Sequence, residues 1–121
     1  LGLWKPVCEK VLTGKEYAGR LDCYECYEYP KPGEPSYLID LKTTRTVPDK
    51  APWPEHTLQV SAYAALMEDQ GRRIHPWIIY VSTMEPGLFK PYFLDDWQET
   101  FENGFLPLLK HFYWSRKLVM P

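Results

Sequence analysis

The stretch SYLIDLKTT, residues 36–44, reads as a core strand in which an acid and a base stand two places apart. Leu38, Ile39 and Leu41 are apolar, and β-branched Thr43 and Thr44 close the run, a composition suited to a pleated, half-buried surface. Side chains alternate along a strand, so Asp40 and Lys42 share one face with Leu38, while Tyr37, Ile39 and Leu41 share the other. Charges in such a run are costly to bury unless something pairs with them. The question is what meets Asp40 and Lys42 on their face.

Upstream, residues 4–13 (WKPVCEKVLT) and 16–28 (EYAGRLDCYECYE) read as two strands joined by a tight glycine turn. A polar Pro- and Gly-rich loop over 29–36 then makes a hairpin connection to strand 37–44. After the proline-rich loop 45–54, a helix is predicted over 54–70. Pro54 suits its first position, Glu55 complements its dipole, and Gly71 is its stop. Leu58, Ala62, Ala65 and Leu66 recur at helical spacing as a core stripe. HPWIIYVST (75–83) is nearly continuous apolar sequence, the pattern of a strand covered on both faces. LFKPYFL (88–94) carries Pro91, which places it at an edge or a bulge. A terminal helix starts near Asp95 and Asp96, with Asp96 and Glu99 spaced as a capping box. Its buried stripe is Trp97, Phe101, Leu108 and Phe112, bent near Gly104 and Pro107. The element order predicts an α/β chain with one central mixed β-sheet and helices packed on it.

At 121 residues the chain is expected to be a single domain, 1–121. A net charge of −2 is not the footprint of bulk electrostatic binding to nucleic acid, although a local groove or a bound metal can supply positive charge. No run is long and apolar enough for a membrane span, so no membrane partner is expected and the reading is intracellular. The chain begins with Leu and reads as a trimmed piece. Cys8, Cys23 and Cys26 are odd in number and lack a second pair, which argues against a disulfide framework and against zinc.

Asp22, on the preceding strand, can lie beside Asp40 if the two strands form a hairpin. Two carboxylates at one spot repel unless a cation joins them, and oxygen ligands suit Mg²⁺ or Mn²⁺. Glu9 is a candidate third carboxylate, equally readable as a solvated strand residue. Gln59 and Tyr63, four apart, share one helix face.

GRLD (19–22), IDLKTT (39–44) and LQVSAY (58–63) resemble the successive motifs of the PD-(D/E)XK nuclease superfamily. The RecB-like exonuclease branch is the most similar, with the mitochondrial genome maintenance and phage recombination exonucleases within it. A lone D-x-K carries no weight; three motifs in order, each on the right kind of element, do. The resemblance covers roughly residues 7–85 and implies a restriction-endonuclease-like core acting in DNA recombination or repair. It implies a DNA nuclease, an exonuclease before an endonuclease, acting on single strands or duplex ends to leave 5′-phosphate and 3′-hydroxyl groups. Asp22, Asp40 and the Leu41 carbonyl would hold the metal, with Glu9 a further candidate ligand from the residues alone. Asp22, Asp40 and Lys42 would be catalytic. Gln59 and Tyr63 would contact substrate or order the site; Thr43 and Arg45 are substrate-contact candidates from the residues alone. The family carries an upstream helix, and this chain is expected to lack it. The downstream cysteines that hold an iron–sulfur cluster in some members are absent too, so no cluster is expected. A mitochondrial location fits if a leader was removed, and a host-cell one if the chain is phage-encoded. The alternative is a trimmed or degenerate nuclease core that binds nucleic acid or protein without cutting.

The remaining candidates divide between site and scaffold. His56, in the first helical turn, is readable as a solvated residue or a phosphate contact. Thr43 and Thr44 fit hydrogen bonding to phosphate or simple strand formation. Arg45 and Lys50 follow the catalytic strand toward any DNA backbone. Trp53 suits stacking on a base or packing under its proline-rich loop.

Overall fold

A computed structural model describes residues 4–27, 35–69, 71 and 73–121, with the backbone alone at 4–8 and 23–27. Period-two segments become five strands: β1 (Trp4–Thr13), β2 (Ala18–Tyr27), β3 (Ser36–Thr44), β4 (Ile74–Ser82) and β5 (Phe89–Phe93). They form one sheet in sequence order. β1, β2 and β3 form an antiparallel meander, β4 lies parallel to β3, and β5 returns antiparallel along β4. This is the α/β arrangement with a mixed sheet expected from the element order. Pro91 sits on edge strand β5, where a missing N–H costs no ladder bond. The 29–36 loop falls largely outside the described residues, as do the side chains of Cys8, Cys23 and Cys26.

The crossover from β3 to β4 is made by α1 (Pro54–Glu68), with Pro54 in its first turn. Gly71, at φ +80, takes the left-handed backbone that ends it. The helix lies between the sheet and the C-terminal segment, so its burial extends beyond one stripe. Val60, Ser61, Ala62, Ala64, Leu66 and Met67 are all buried, whereas Leu58 and Ala65 of the expected stripe are only half-buried. Two close approaches fix it. A Cβ at Gly19 would stand 2.7 Å from the Tyr63 ring, and one at Gly104 would stand 2.5 Å from Leu58 Cδ2. Tyr17 adds a polar tie, its hydroxyl donating to the Ala62 carbonyl at 2.7 Å.

β4 departs from the expectation of a strand covered on both faces. Ile74, Pro76, Ile78 and Tyr80 are buried against α1 and its neighbours. His75, Trp77 and Ile79 are half-buried, and Val81 is exposed. Apolar composition here reflects two apolar faces of which the described residues cover one.

The C-terminal helix is also not the single capped helix expected. It consists of α2 (Trp97–Thr100), a π-helical turn at Phe101–Phe105, and α3 (Leu106–Ser115). Asp96 precedes α2 without a side-chain capping bond, so the predicted capping box does not form. A π turn inserts one residue and rotates the helix beyond it by about 100°. Trp97 and Phe101 face the core as predicted, but Leu108 and Phe112 are exposed. Leu109 and Tyr113, each one residue later, are the half-buried pair, and the Tyr113 hydroxyl bonds the Glu16 carbonyl. Gly104 against Leu58 and the missing N–H of Pro107 account for the turn's position.

Candidate functional site

The described pairing of β2 with β3 is Cys23 opposite Ile39 and Tyr24 opposite Leu38. At the next step toward the C-terminal end of β3, a side chain replaces the backbone partner: the Leu41 N–H donates to Asp22 Oδ2 at 3.1 Å. Asp22 is thereby anchored across the strand gap with its carboxyl within hydrogen-bonding reach of Asp40. Asp40 is only 2% exposed. Burial pushes its carboxyl up to about 6, the Asp22 carboxyl adds to the rise, and the Lys42 ammonium opposes it.

Lys42 Nζ stands 3.1 Å from Asp40 Oδ2, an ion-pair distance. That oxygen is buried, and among the described residues it has no donor in hydrogen-bond geometry, so the ammonium meets it as a charge alone. The directed bond from Lys42 goes instead to Gln59 Oε1 at 2.6 Å. Gln59 Nε2 in turn donates to the Tyr63 hydroxyl at 2.8 Å. The helical i,i+4 pair and the strand i,i+2 pair are thus joined in one chain, Asp40–Lys42–Gln59–Tyr63. The Tyr63 hydroxyl accepts from Gln59 and retains its own proton for another acceptor.

Not every candidate joins this chain. Glu9 is exposed and has a left-handed backbone, φ 55, at the β1 position between the pairs Cys8–Cys23 and Lys10–Leu21. Among the described residues no three His, Cys, Asp or Glu side chains converge as a metal site, so Glu9 does not complete the Asp22–Asp40 pair. Thr43 alternates onto the face opposite Asp40 and is exposed. The Leu41 side chain lies on that opposite face too, 53% exposed. Arg45 is exposed just past the end of β3, its carbonyl accepting from Ser82 Oγ at 3.4 Å. Lys50 is exposed in the following loop.

Trp53 packs rather than projects. Its ring lies edge-on to Tyr80 at 5.4 Å and to His56 at 5.6 Å. The Tyr80 hydroxyl accepts the Trp53 N–H at 3.2 Å and lies 2.7 Å from His56 Nδ1. Strand periodicity alone does not single out Tyr80, although a signal is present. It alternates with Ile74, Pro76 and Ile78 on the covered face, and it stands opposite Lys42 in the β3–β4 register.

A cleft of about 690 Å³ lies elsewhere, between the β1–β2 turn, the end of α1 and the C-terminal segment. Glu16, Glu68, Asp69 and Glu102 rim it over Tyr17 and Trp97. It contains none of the Asp40 chain, so size and chemistry part company here. Buried opposed charges mark a candidate site more directly than volume does.

No family model matches the chain. No curated protein matches it either. Among solved structures, the crystal structure of SSO0001 superposes with a TM-score of 0.49 at 16% identity, over 85% of this chain and 50% of that one. This chain therefore spans half the length of that protein. No described helix is long and apolar enough to cross a membrane.

Proposed function

We propose that the Asp22–Asp40–Lys42 cluster is the active site of a divalent-metal-dependent DNA nuclease, in preference an exonuclease. The observation that carries this reading is Asp40 itself: a carboxyl buried beside a second carboxyl, with the Lys42 ammonium at ion-pair distance. A desolvated carboxyl beside a second one makes an all-oxygen donor pair, which fits Mg²⁺ or Mn²⁺. Asp22, Asp40 and the Leu41 carbonyl would hold the ion. Once bound, it would supply charge neutralisation at the scissile phosphate and a lowered pKa for water.

The chain's own groups do the rest. Gln59 holds the Lys42 ammonium at the edge of the carboxylate pair, where it can orient the attacking water and offset phosphate charge. Tyr63, whose hydroxyl accepts from Gln59, would donate its own proton to a phosphate oxygen. In the reaction, water oxygen bonds to phosphorus and the P–O3′ bond breaks. One water proton ends on O3′, leaving 5′-phosphate and 3′-hydroxyl termini.

End-labelled single- and double-stranded DNA incubated with the protein and Mn²⁺ tests the proposal. Cleavage that EDTA abolishes, and that Asp40→Ala and Lys42→Ala each reduce at least 100-fold, is the expected result, on the order of losing a principal catalytic group. Undiminished cleavage by either variant sinks it. One observation favours a second reading, a non-cutting binding module: two carboxylates converge among the described residues, not three. Calorimetric titration with Mn²⁺ separates the two, since a non-cutting module shows no binding that depends on Asp22 and Asp40.

A further inference from the structure

Beside Lys42 stands a second polar relay that the cleavage chemistry does not use. Tyr80 is fully buried and is the register partner of Lys42, so both side chains rise from one sheet face toward α1. Its hydroxyl accepts the Trp53 backbone N–H at 3.2 Å and stands 2.7 Å from His56 Nδ1. A phenol carries one proton and here has one lone pair already taken. The assignment that satisfies every group has the Tyr80 hydroxyl donate to Nδ1, which leaves the imidazole neutral with its proton on Nε2. Trp53 and Tyr80 flank the ring at 5.6 and 5.5 Å and restrain its orientation. Burial first and the Lys42 charge second lower the His56 imidazole from its ordinary range, against the opposing Glu55 carboxylate, which favours the neutral form.

His56 is half-buried and lies one helical turn before Gln59, the residue that holds Lys42. A cationic imidazolium there would oppose the lysine charge. A neutral N–H offers a hydrogen bond without that repulsion. We propose that His56 is a substrate contact, a neutral Nε2–H donor oriented by Tyr80 that binds a non-bridging oxygen of the phosphodiester presented to Lys42. The substrate in this inference rests on the nuclease reading; the tautomer and the anion contact do not.

The test joins spectroscopy to kinetics. Long-range ¹H–¹⁵N correlation of the His56 ring is expected to show the Nε2–H tautomer in the wild-type protein and a tautomer mixture in Tyr80→Phe. Titration with a phosphorothioate oligodeoxythymidylate is expected to shift Nε2. His56→Ala is expected to raise KM for DNA about tenfold, the scale of one hydrogen bond, with kcat within about threefold. His56→Gln, which keeps an N–H donor, is expected to recover part of that loss. An Nδ1–H tautomer, or an Nε2 resonance that the oligonucleotide leaves unmoved, overturns the proposal. If the protein cleaves DNA and His56→Ala has wild-type KM, the contact falls and the nuclease reading stands. If it does not cleave but the oligonucleotide moves Nε2, the nuclease reading falls and the contact stands.

Discussion

The two faces of β3 and β4 are built from similar material and do different work. On the face toward α1, Leu38, Asp40, Ile78 and Tyr80 are each no more than 2% exposed. On the other, Ile39, Trp77 and Ile79 are half-buried, and Leu41 and Val81 are open to solvent. A carboxyl on the second face would be an ordinary solvated acid. On the first it is desolvated, set beside another carboxyl, and faced by a lysine that α1 holds in place. The helix thus turns a strand residue into a perturbed one, and the apolar character of the strand does not say which face receives it.

Paired mutations put this contrast at risk. Ile78→Ala and Ile79→Ala remove the same atoms from neighbouring positions on opposite faces. The first is expected to cost about 2–5 kcal/mol in urea unfolding, and the second clearly less. Equal losses would mean that the open face is covered in solution. Next in size is pH dependence. Asp40 has a folded pKa of about 6, above its unfolded value near 4, so the protonated acid favours folding. That contribution is fully present below pH 4 and is lost as pH rises through 6. The metal-free protein should therefore lose roughly 2–3 kcal/mol between pH 4 and pH 8 from this group. Asp40→Asn should flatten that part of the profile, and thermal melts in EDTA across the range measure it.

Smaller effects trace the boundary of the covered face. Gly19→Ala drives a methyl against the Tyr63 ring, at an expected cost of about 1–3 kcal/mol. Because Tyr63 ends the hydrogen-bonded chain from Lys42, the same variant should lower activity more than its stability loss explains, as single-turnover rates well below the melting temperature will show. Least of all, the exposed Lys90–Asp49 pair, 2.7 Å apart, can be removed by Lys90→Ala without a measurable change in urea midpoint.

Much of this arrangement was legible in the residues. Alternation placed Asp40 and Lys42 on one face, and helical spacing placed Gln59 beside Tyr63. The order of strands and helices marked out the mixed sheet, with Pro91 at its edge. Other features depend on contacts between distant segments. The Asp22 bond to the Leu41 amide requires β2 and β3 to stop pairing at that point. The π turn depends on Gly104 meeting Leu58, forty-six positions away in the chain, and it moved the inward-facing residues from 108 and 112 to 109 and 113. Tyr80 looks like one more apolar strand residue until its hydroxyl meets Trp53 and His56.

The order of residues is enough to set the periods, and with them which side chains travel together: Asp40 with Lys42, Gln59 with Tyr63, Ile78 with Tyr80. Period is a property of the local backbone and needs no partner. Which of those sets would be dry was left to the packing of distant elements, because desolvation depends on what lies above a face. By seating α1 over the even-numbered residues of β3 and β4, the fold made Asp40 a perturbed acid and left Leu41, its neighbour, in water.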